Sequence, residues 1–372
     1  MAATAAAATA AAPPLATARL PTGLLVRCVS KRDVPFLYRE IYERRCYLSH
    51  GITLPRGGTV IDCGANIGLF SMQAAQELGS EGLVLACEPL PPTFAALQNN
   101  VAAHREWWSS QQQQVQRQQA QRQQAQRQQV QRQPAPPTDP GSAAAEAEPG
   151  ERAPQPVQHQ QQQLQQQHAA ASLLAAAAAP IVALQAGVGS GEQASADFTF
   201  YPRAAGWSSM LPAEGEVQAD MQAFLEQALS SPLAAAAAGL DPRTAALGCW
   251  LQRRAPSWAY AAAGRFAVAR MLGAAGTVRC PLVSVSQLIR QHSLGAVDLL
   301  KVDVERAELR VLRGVEDQHW PLVQQAALEV HAADLDEVLR ILRSEAGFTR
   351  VVVEQEAALA GTSLHAVYCT RH

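Results

Sequence analysis

The sequence predicts an α/β fold with a mostly parallel, seven-stranded sheet and helices on both faces. Three observations support this fold class. The apolar run at residues 59–63 leads into a glycine turn and then a helical pattern. A second apolar run at residues 83–87 ends in a glutamate, and further short apolar runs alternate with helical patterns. Short apolar runs are typical of strands buried on both faces, and their alternation with helices favours parallel βαβ units.

The glycine turn reads Asp-Cys-Gly-Ala-Asn-Ile-Gly over residues 62–68. Gly64 and Gly68 allow the backbone to turn tightly and to approach a ligand where a Cβ atom would collide. Asn66 is a candidate helix cap, because its side-chain oxygen can accept from the first free amides. The turn therefore predicts the opening of a nucleotide-binding βαβ unit. Many parallel sheets also contain such a turn for packing alone.

Glu88 ends the second strand, twenty residues past Gly68. A carboxylate at this position can accept from both hydroxyls of a ribose, and each such charge-assisted hydrogen bond contributes about 1.5–3 kcal/mol. The turn lacks the middle glycine of the dinucleotide fingerprint, because Ala65 and Asn66 stand there. Asp62, directly before the first glycine, suits a cofactor with a cationic amino-acid tail. These residues point to S-adenosyl-L-methionine.

A charged helical pattern at residues 33–50 precedes the first strand, with tyrosines at helical spacing. One interpretation is a helix that packs its apolar face across the sheet edge. The other places Tyr42 or Tyr47 as a cover over the cofactor.

The remaining predicted elements complete the sheet. Pro89 and the prolines after it begin the second helix, and Gln185 lies near the tip of the third strand, where it could read an adenine edge. The third, fourth and fifth parallel strands are predicted at 181–186, 297–304 and 322–330, a closing antiparallel pair at 348–354 and 363–370, further strands at 197–201 and 278–285, and helices at 287–292 and 334–346.

Four titratable side chains lie at the carboxyl ends of the fourth and fifth strands, in pairs spaced two residues apart. They are Asp303 with Glu305, and Glu329 with His331. Ligands in open α/β sheets bind outside the carboxyl ends of the strands, so these side chains belong at the mouth of a site. His331 or Asp303 is a candidate general base, and Glu305 or Glu329 would orient it. Two alternatives are a buried polar network and a divalent ion held by Asp303, Glu305 and Glu329; we predict no metal.

Low-complexity segments interrupt the pattern. Residues 1–32 are predicted to be a low-complexity N-terminal tail, whose acid-free first 22 residues are either a transit peptide or a disordered tail. Residues 105–179 are rich in glutamine and alanine and are predicted to form a disordered insertion, with a repeated arginine that could bind an acidic protein partner. Residues 211–276 form an alanine-rich insertion without an interpretable signal.

Composition limits the partners and the compartment. The formal net charge of −2 gives no nucleic-acid footprint. The alanine-rich run at residues 169–188 approaches spanning length but is too weakly hydrophobic, so we expect no membrane partner either. The seven cysteines show no Cys-x-x-Cys spacing, which favours a reducing, intracellular compartment, either the cytoplasm or an organelle such as a plastid or mitochondrion.

Several blocks of this sequence resemble the FkbM-type methyltransferase family. They are Val-Ile-Asp-Cys-Gly-Ala-Asn-Ile-Gly-Leu-Phe-Ser (60–71), Cys-Glu-Pro-Leu-Pro-Pro-Thr-Phe (87–94), Val-Asp-Leu-Leu-Lys-Val-Asp-Val-Glu-Arg-Ala-Glu (297–308), Leu-Arg-Gly (312–314) and Leu-Glu-Val-His (328–331). The resemblance covers about 60–104 and 180–370. It implies a Rossmann-like class I methyltransferase domain over 33–104 and 180–372, with Ala65 and Pro89 joining the residues that bind the cofactor.

One residue departs from the family pattern. The family usually has glycine after the Asp-x-Glu motif, and this chain has Arg306 there. Arg306 would keep the neighbouring carboxylates ionised if it reached them, would strain the turn if a positive φ is required, or would point to solvent.

The resemblance and the residues together predict an S-adenosylmethionine-dependent O-methyltransferase that acts on a hydroxylated small molecule or sugar. A different class of function is a nucleotide-binding scaffold that has weak catalysis and acts through the glutamine-rich insertion. A nicotinamide-dependent oxidoreductase is the third alternative, and the missing middle glycine disfavours it.

Overall fold

Strands and helices alternate along the chain. The computed structural model describes residues 14–131, 178–211, 214–231, 234–235, 242–273, 275–355 and 361–371. The strands are β1 (Ala16–Arg19), β2 (Leu25–Cys28), β3 (Thr59–Cys63), β4 (Leu83–Cys87), β5 (Ile181–Leu184), β6 (Gly187–Val188), β7 (Ser195–Phe200), β8 (Gly276–Val283), β9 (Leu299–Val302), β10 (Gln325–His331), β11 (Arg350–Glu354) and β12 (Leu364–Thr370). The α-helices are α1 (Val34–Tyr38), α2 (Leu69–Leu78), α3 (Pro91–Gln131), α4 (Glu214–Ala228), α5 (Pro242–Arg254), α6 (Ser257–Leu272), α7 (Val285–Gln291), α8 (Glu308–Arg313) and α9 (Leu335–Arg340).

Seven strands form the main sheet in the order β11-β12-β10-β9-β3-β4-β5. Strands β10, β9, β3, β4 and β5 are parallel, whereas β12 runs antiparallel to both β10 and β11. The prediction of an α/β fold with a mostly parallel seven-stranded sheet is therefore confirmed. A separate three-stranded sheet has the order β6-β8-β7.

The central strands are apolar because they are buried. Val60, Ile61, Leu85, Leu300 and Val302 are fully inaccessible to solvent. Full burial of each such side chain stabilises the fold by about 1.5–3 kcal/mol. The register pairs Cys63 with Cys87 on one side and with Val302 on the other, so β3, β4 and β9 end together at one edge of the sheet.

The predicted N-terminal tail is wrong from residue 16 onward. Strands β1 and β2 form an antiparallel hairpin, and Leu20, Leu24 and Val26 are buried. The Asn100 side chain accepts a hydrogen bond from the Arg27 amide and donates to the Arg27 carbonyl oxygen. The apolar residues after position 19 therefore pack into the fold. The alanine-rich composition of residues 1–12 made this element hard to recognise from the sequence. Residues 1–13, including most of the candidate transit peptide, lie outside the described residues.

The predicted disordered insertion differs from the structure in its first part. Helix α3 continues to Gln131, and residues 132–177 lie outside the described residues. Glutamine, alanine and arginine are good helix formers, and no glycine or proline occurs between Thr93 and Gln131. The chain divides into two compact units, Met1–Arg105 with Ala178–His372, and Glu106–Ala177.

The alanine-rich insertion at 211–276 contains helices α4, α5 and α6. Val217 and Met221 on α4 share a buried cluster with Val268 on α6 and with Tyr201 and Ala204. Within the described part of the chain, every helix is too short or too polar to cross a lipid bilayer.

Candidate active site

The glycine turn lies at the shared carboxyl edge of β3 and β4. Gly64 and Gly68 have φ values of 77° and 87°, in the left-handed region. A Cβ atom on Gly64 would overlap the carbonyl oxygen of Asp303, and one on Gly68 would lie 2.5 Å from the Leu97 side chain. Both glycines are required by this close packing. The expected cap is wrong, because Gly68 occupies the N-cap position and Asn66 makes no side-chain cap hydrogen bond.

Glu88 lies against this turn. Its two carboxylate oxygens accept one hydrogen bond each, from the Asn66 amide and the Leu90 amide, both at 3.1 Å. The amides of Gly64 and Ala65 both donate to the Cys87 carbonyl oxygen. Burial raises the pKa of Glu88 to about 7, against the opposing effect of these hydrogen bonds and of a nearby lysine. The structure thus brings the turn and the strand-end glutamate together.

Gln185 and Pro89 lie near the same edge. The Glu88 amide donates to the Leu184 carbonyl oxygen at 3.0 Å, which aligns the end of β5 with the end of β4. Gln185 follows directly and is exposed, and Pro89 is partly buried. The candidate cofactor residues therefore follow three adjacent strand ends.

Asp62 has a different environment from the predicted one. Its side chain is fully buried, accepts from the Ser71 hydroxyl at 2.5 Å, and lies 3.1 Å from the ammonium nitrogen of Lys301. Lys301 satisfies the negative charge, so Asp62 is not accessible to the cationic tail of a cofactor. The prediction that Asp62 contacts that tail is corrected accordingly.

Lys301 connects the glycine turn to the acidic residues after β9. Its Nζ atom donates to the Gly64 carbonyl oxygen at 2.7 Å and lies 3.6 Å from Asp303. Burial opposes the charge on Lys301, but the neighbouring Asp62 and Asp303 outweigh it, and the pKa of Lys301 is raised. The sequence signal for Lys301 was its position on β9, where it alternates with Asp303. Its contact with the glycine turn could not be predicted, because that contact depends on the register of β3 and β9.

Three of the four predicted catalytic residues meet. Oxygen atoms of Asp303, Glu305 and Glu329 all lie within 4.8 Å of one another. Burial and the charges of Asp303, Glu329 and Glu308 raise the pKa of Glu305 well above its ordinary value. Carboxylate oxygens are also the ligands that divalent cations such as Mg²⁺ and Ca²⁺ prefer. The cluster suits either proton transfer or cation binding.

His331 does not belong to this cluster. It is 4% exposed, and its Nδ1 atom lies 3.5 Å from the Glu308 carboxylate at the start of α8. Neither ring nitrogen has a hydrogen-bond partner among the described residues. The imidazole therefore lies beside α8, where Glu308 is its charged neighbour. The predicted grouping of all four residues is wrong for His331.

Tyr47 reaches the cluster from the segment before β3. Its hydroxyl donates to Asp303 at 2.7 Å, and its ring contacts Phe70 edge-to-face with centroids 5.1 Å apart. Burial and the charge of Asp303 raise the pKa of Tyr47 well above its ordinary value. Tyr42 instead stacks on Tyr38. Of the two candidate cover residues, Tyr47 is the one that contacts a predicted site residue.

Arg306 does not point to solvent. Its side chain is 10% exposed and pairs with Glu216 and Asp220 of α4, the latter at 2.7 Å. Its φ of 74°, after 51° at Glu305, lies in the left-handed region. This conformation costs about 1–2 kcal/mol for each non-glycine residue. Arg306 therefore strains the turn, as one alternative predicted, while its charge contacts the inserted helix.

Comparison with known proteins adds to this geometry. Residues 185–349 match the model of the methyltransferase FkbM domain. The chain is 29% identical to the 31-O-demethyl-FK506 methyltransferase FkbM of Streptomyces tacrolimicus over 359 residues, which cover 95% of this chain and 96% of that protein. It is 23% identical to the methyltransferase sdnD of Sordaria araneosa over 309 residues, which cover 81% of this chain and 76% of that protein. No solved structure matches the chain significantly.

Proposed function

We propose that this chain, which matches the FkbM methyltransferase domain over residues 185–349 and resembles the Streptomyces methyltransferase along most of its length, transfers a methyl group from S-adenosyl-L-methionine to a hydroxyl group of a small molecule or sugar. The Streptomyces relative is named for methyl transfer to an O-demethylated substrate, which supports oxygen as the acceptor atom. The sheet order supports the Rossmann-like class I assignment, since β3, β4 and β5 present their carboxyl ends side by side. The observation that carries the proposal is the contact of Glu88 with the glycine turn, at the edge of the sheet where β3, β4 and β9 end together.

The residues at this edge fit the proposed cofactor. An ionised carboxylate has about four lone-pair positions, and the backbone uses two of those on Glu88. The rest are available to ribose hydroxyls. In this proposal Glu88 holds the ribose, the Gly64–Gly68 turn faces the amino-acid end, and Gln185 faces the adenine. Lys301 neutralises Asp62. In this proposal, polar backbone groups of the turn therefore contact the amino-acid end of the cofactor in place of Asp62. When bound, the cofactor supplies a methyl group activated by the sulfonium.

The protein then has two tasks, alignment of the acceptor and removal of its proton. Alignment can contribute roughly 7–11 kcal/mol and a general base about 10²–10⁴-fold in rate. Glu305 lies within the acidic cluster, and burial together with the neighbouring carboxylates raises its pKa well above its ordinary value, so that its carboxylate is a stronger proton acceptor than an ordinary glutamate. Asp303 is held by Tyr47 and Lys301 and is suited to orient the acceptor hydroxyl. The burial of His331 against Glu308 disfavours it as the base.

A methyl-transfer screen tests the proposal. The protein is incubated with S-adenosyl-L-methionine labelled on the methyl group and with fractionated extract metabolites. We expect label in a product whose mass increases by one methylene and whose methyl group is bound to oxygen. Label on nitrogen or carbon would refute the acceptor class, and no labelled product in any fraction would refute methyl transfer.

Two variants assign the catalytic group in the same assay. Glu305→Gln keeps the size of the side chain and removes its basicity, so turnover should fall by about 10²-fold or more. His331→Asn should retain turnover within a few-fold, since His331 lies outside the cluster. The reverse pattern would return the base to His331. We expect turnover to persist after EDTA treatment, and its loss would assign the cluster to a cation.

A further inference from the structure

Asp33 and the glycine turn line the same small cavity. Residues between positions 28 and 37 form one wall of this cavity, Asn66 and Ile67 of the turn form another, and Ala205 contributes to the lining. The cavity has a volume of about 10 Å³, which is room for a single water-sized group. It therefore suits the head of a small polar or charged group and is too small for an adenine ring or an acceptor molecule.

Asp33 is the only charged residue among the described residues that line this cavity. Burial and the charge of Asp33 raise the pKa of Cys28, so the thiol in the same cavity stays neutral. The Asp33 carboxylate accepts from the Ser30 hydroxyl at 3.0 Å, and no cationic side chain in the described part of the chain forms an ion pair with it. Burial raises the pKa of Asp33 despite the Ser30 hydroxyl and the nearby charge of Arg32. The cavity therefore contains a partly desolvated carboxylate that a bound cation would stabilise.

Asn66 connects this cavity to the ribose position proposed above. Its amide donates to Glu88 at 3.1 Å, and the same residue lines the cavity together with Asp33. In S-adenosyl-L-methionine the ribose and the amino-acid chain are joined through the sulfur. One cofactor molecule therefore reaches both carboxylates from a position over the glycine turn.

Asp62 leaves the cationic end of the cofactor without an acidic partner at the turn. It is fully buried and lies 3.1 Å from the ammonium nitrogen of Lys301. Backbone carbonyl oxygens carry only a partial charge, whereas a hydrogen bond from an ammonium group to a carboxylate is charge-assisted and roughly twice as strong. A second carboxylate near the turn is therefore the better partner for this end.

We propose that Asp33 binds the α-ammonium group of S-adenosyl-L-methionine. This inference rests on the proposed function and deepens it, because it assigns the acidic group that recognises the amino-acid end of the methyl donor. The Ser30 hydroxyl holds the carboxylate in place. The segment before β3 thereby supplies one side of the methyl-donor site, and the glycine turn supplies the other.

Two other occupants fit the cavity less well. A water molecule fills the same volume but leaves the charge of Asp33 uncompensated. A divalent cation needs about six oxygen ligands, whereas the described lining offers one carboxylate. An ammonium group matches both the size and the charge.

Calorimetric titration with a matched pair of ligands tests this assignment. The ligands are S-adenosylhomocysteine and its deamino analogue, in which a hydrogen atom replaces the α-amino group. We expect the wild type to bind S-adenosylhomocysteine about 10- to 150-fold more tightly than the analogue. Asp33→Asn keeps the size of the side chain and an oxygen for the Ser30 hydroxyl. It should bind the two ligands about equally, because only its affinity for S-adenosylhomocysteine falls.

The control variant is Asp197→Asn, which changes an exposed aspartate outside the cavity and should retain the wild-type preference. Equal affinity of the wild type for the two ligands would overturn the assignment, and so would an Asp33→Asn variant that retains the preference or weakens both ligands equally. Any of these results, obtained alongside weakened binding in Glu88→Ala, would remove only Asp33 from the methyl-donor site. Binding of neither ligand by the wild type would overturn the donor site and the role of Asp33 together.

Discussion

The two halves of the candidate site are stabilised in different ways. At the β3–β4 edge, defined by Gly64, Gly68 and Glu88, backbone amides satisfy the carboxylate oxygens. At the β9–β10 edge, defined by Asp303, Glu305 and Glu329, carboxylates face one another and are only partly offset by Lys301 and Tyr47.

The β3–β4 edge is therefore preformed for binding, whereas the carboxylates of the β9–β10 edge repel one another. Burial and neighbouring like charges both raise the pKa of a carboxylate, as they do for Glu305. Lys301 contacts both edges. The predictions below therefore test Lys301 first and the smaller, local effects afterwards.

Lys301→Met should have the largest effect on stability. It would leave Asp62 fully buried without its counter-ion, and breaking a buried ion pair costs about 3–5 kcal/mol. Urea unfolding monitored by circular dichroism measures this loss. Lys31→Met is the control, since Lys31 is exposed. Equal unfolding midpoints for the two variants would show that Lys301 does not connect the two edges energetically.

Glu88 should make stability depend on pH. Its pKa in the folded state is about 7, above the ordinary value of 4.5, so the folded protein binds the proton more tightly than the unfolded chain. The free energy of unfolding should therefore fall as pH rises from about 4.5 to about 7, by at most about 3 kcal/mol. Glu88→Gln removes the titration and should flatten this part of the curve. Parallel curves for the wild type and the variant would contradict the raised pKa.

Gly64→Ala should destabilise the protein more than Gly23→Ala. Both glycines have a positive φ, but only the Cβ at Gly64 would overlap the Asp303 backbone, whereas nothing lies within 4 Å at Gly23. Overpacking adds about 1–3 kcal/mol to the shared conformational cost. Thermal unfolding of both variants isolates the clash. Equal melting temperatures would mean that the turn and the β9–β10 edge are not tightly packed.

Arg306 offers the smallest and most specific comparison. Arg306→Gly should be more stable than Arg306→Ala by about 1 kcal/mol, because both lose the pairs with α4 while glycine alone tolerates the φ of 74°. At Arg310, inside α8, the order should reverse because glycine disfavours helices. Urea unfolding of the four variants measures both differences. The same order at both positions would contradict the left-handed backbone at Arg306.

The sequence predicted the β3–β4 edge better than the β9–β10 edge, and the reason is physical. Gly64, Gly68 and Glu88 come from one contiguous βαβ unit, whose local pattern determines where each residue lies. The pairing of Asp62 with Lys301 crosses 239 positions of chain and depends on the register of β3 and β9. The contacts of Arg306 with α4 depend on an insertion whose alanine-rich sequence shows no regular pattern. His331 was misplaced because two-residue spacing predicts a shared face but not which neighbouring helix that face meets.

Calorimetric titration with S-adenosylhomocysteine tests the central claim most directly. We predict saturable binding by the wild type, weaker by about 10- to 150-fold in Glu88→Ala, with unchanged affinity in Glu81→Ala, whose side chain is exposed at the opposite end of β4. We also predict no comparable binding of NAD. An unchanged affinity in Glu88→Ala, or tighter binding of NAD than of S-adenosylhomocysteine, would contradict the assignment of this edge as the methyl-donor site.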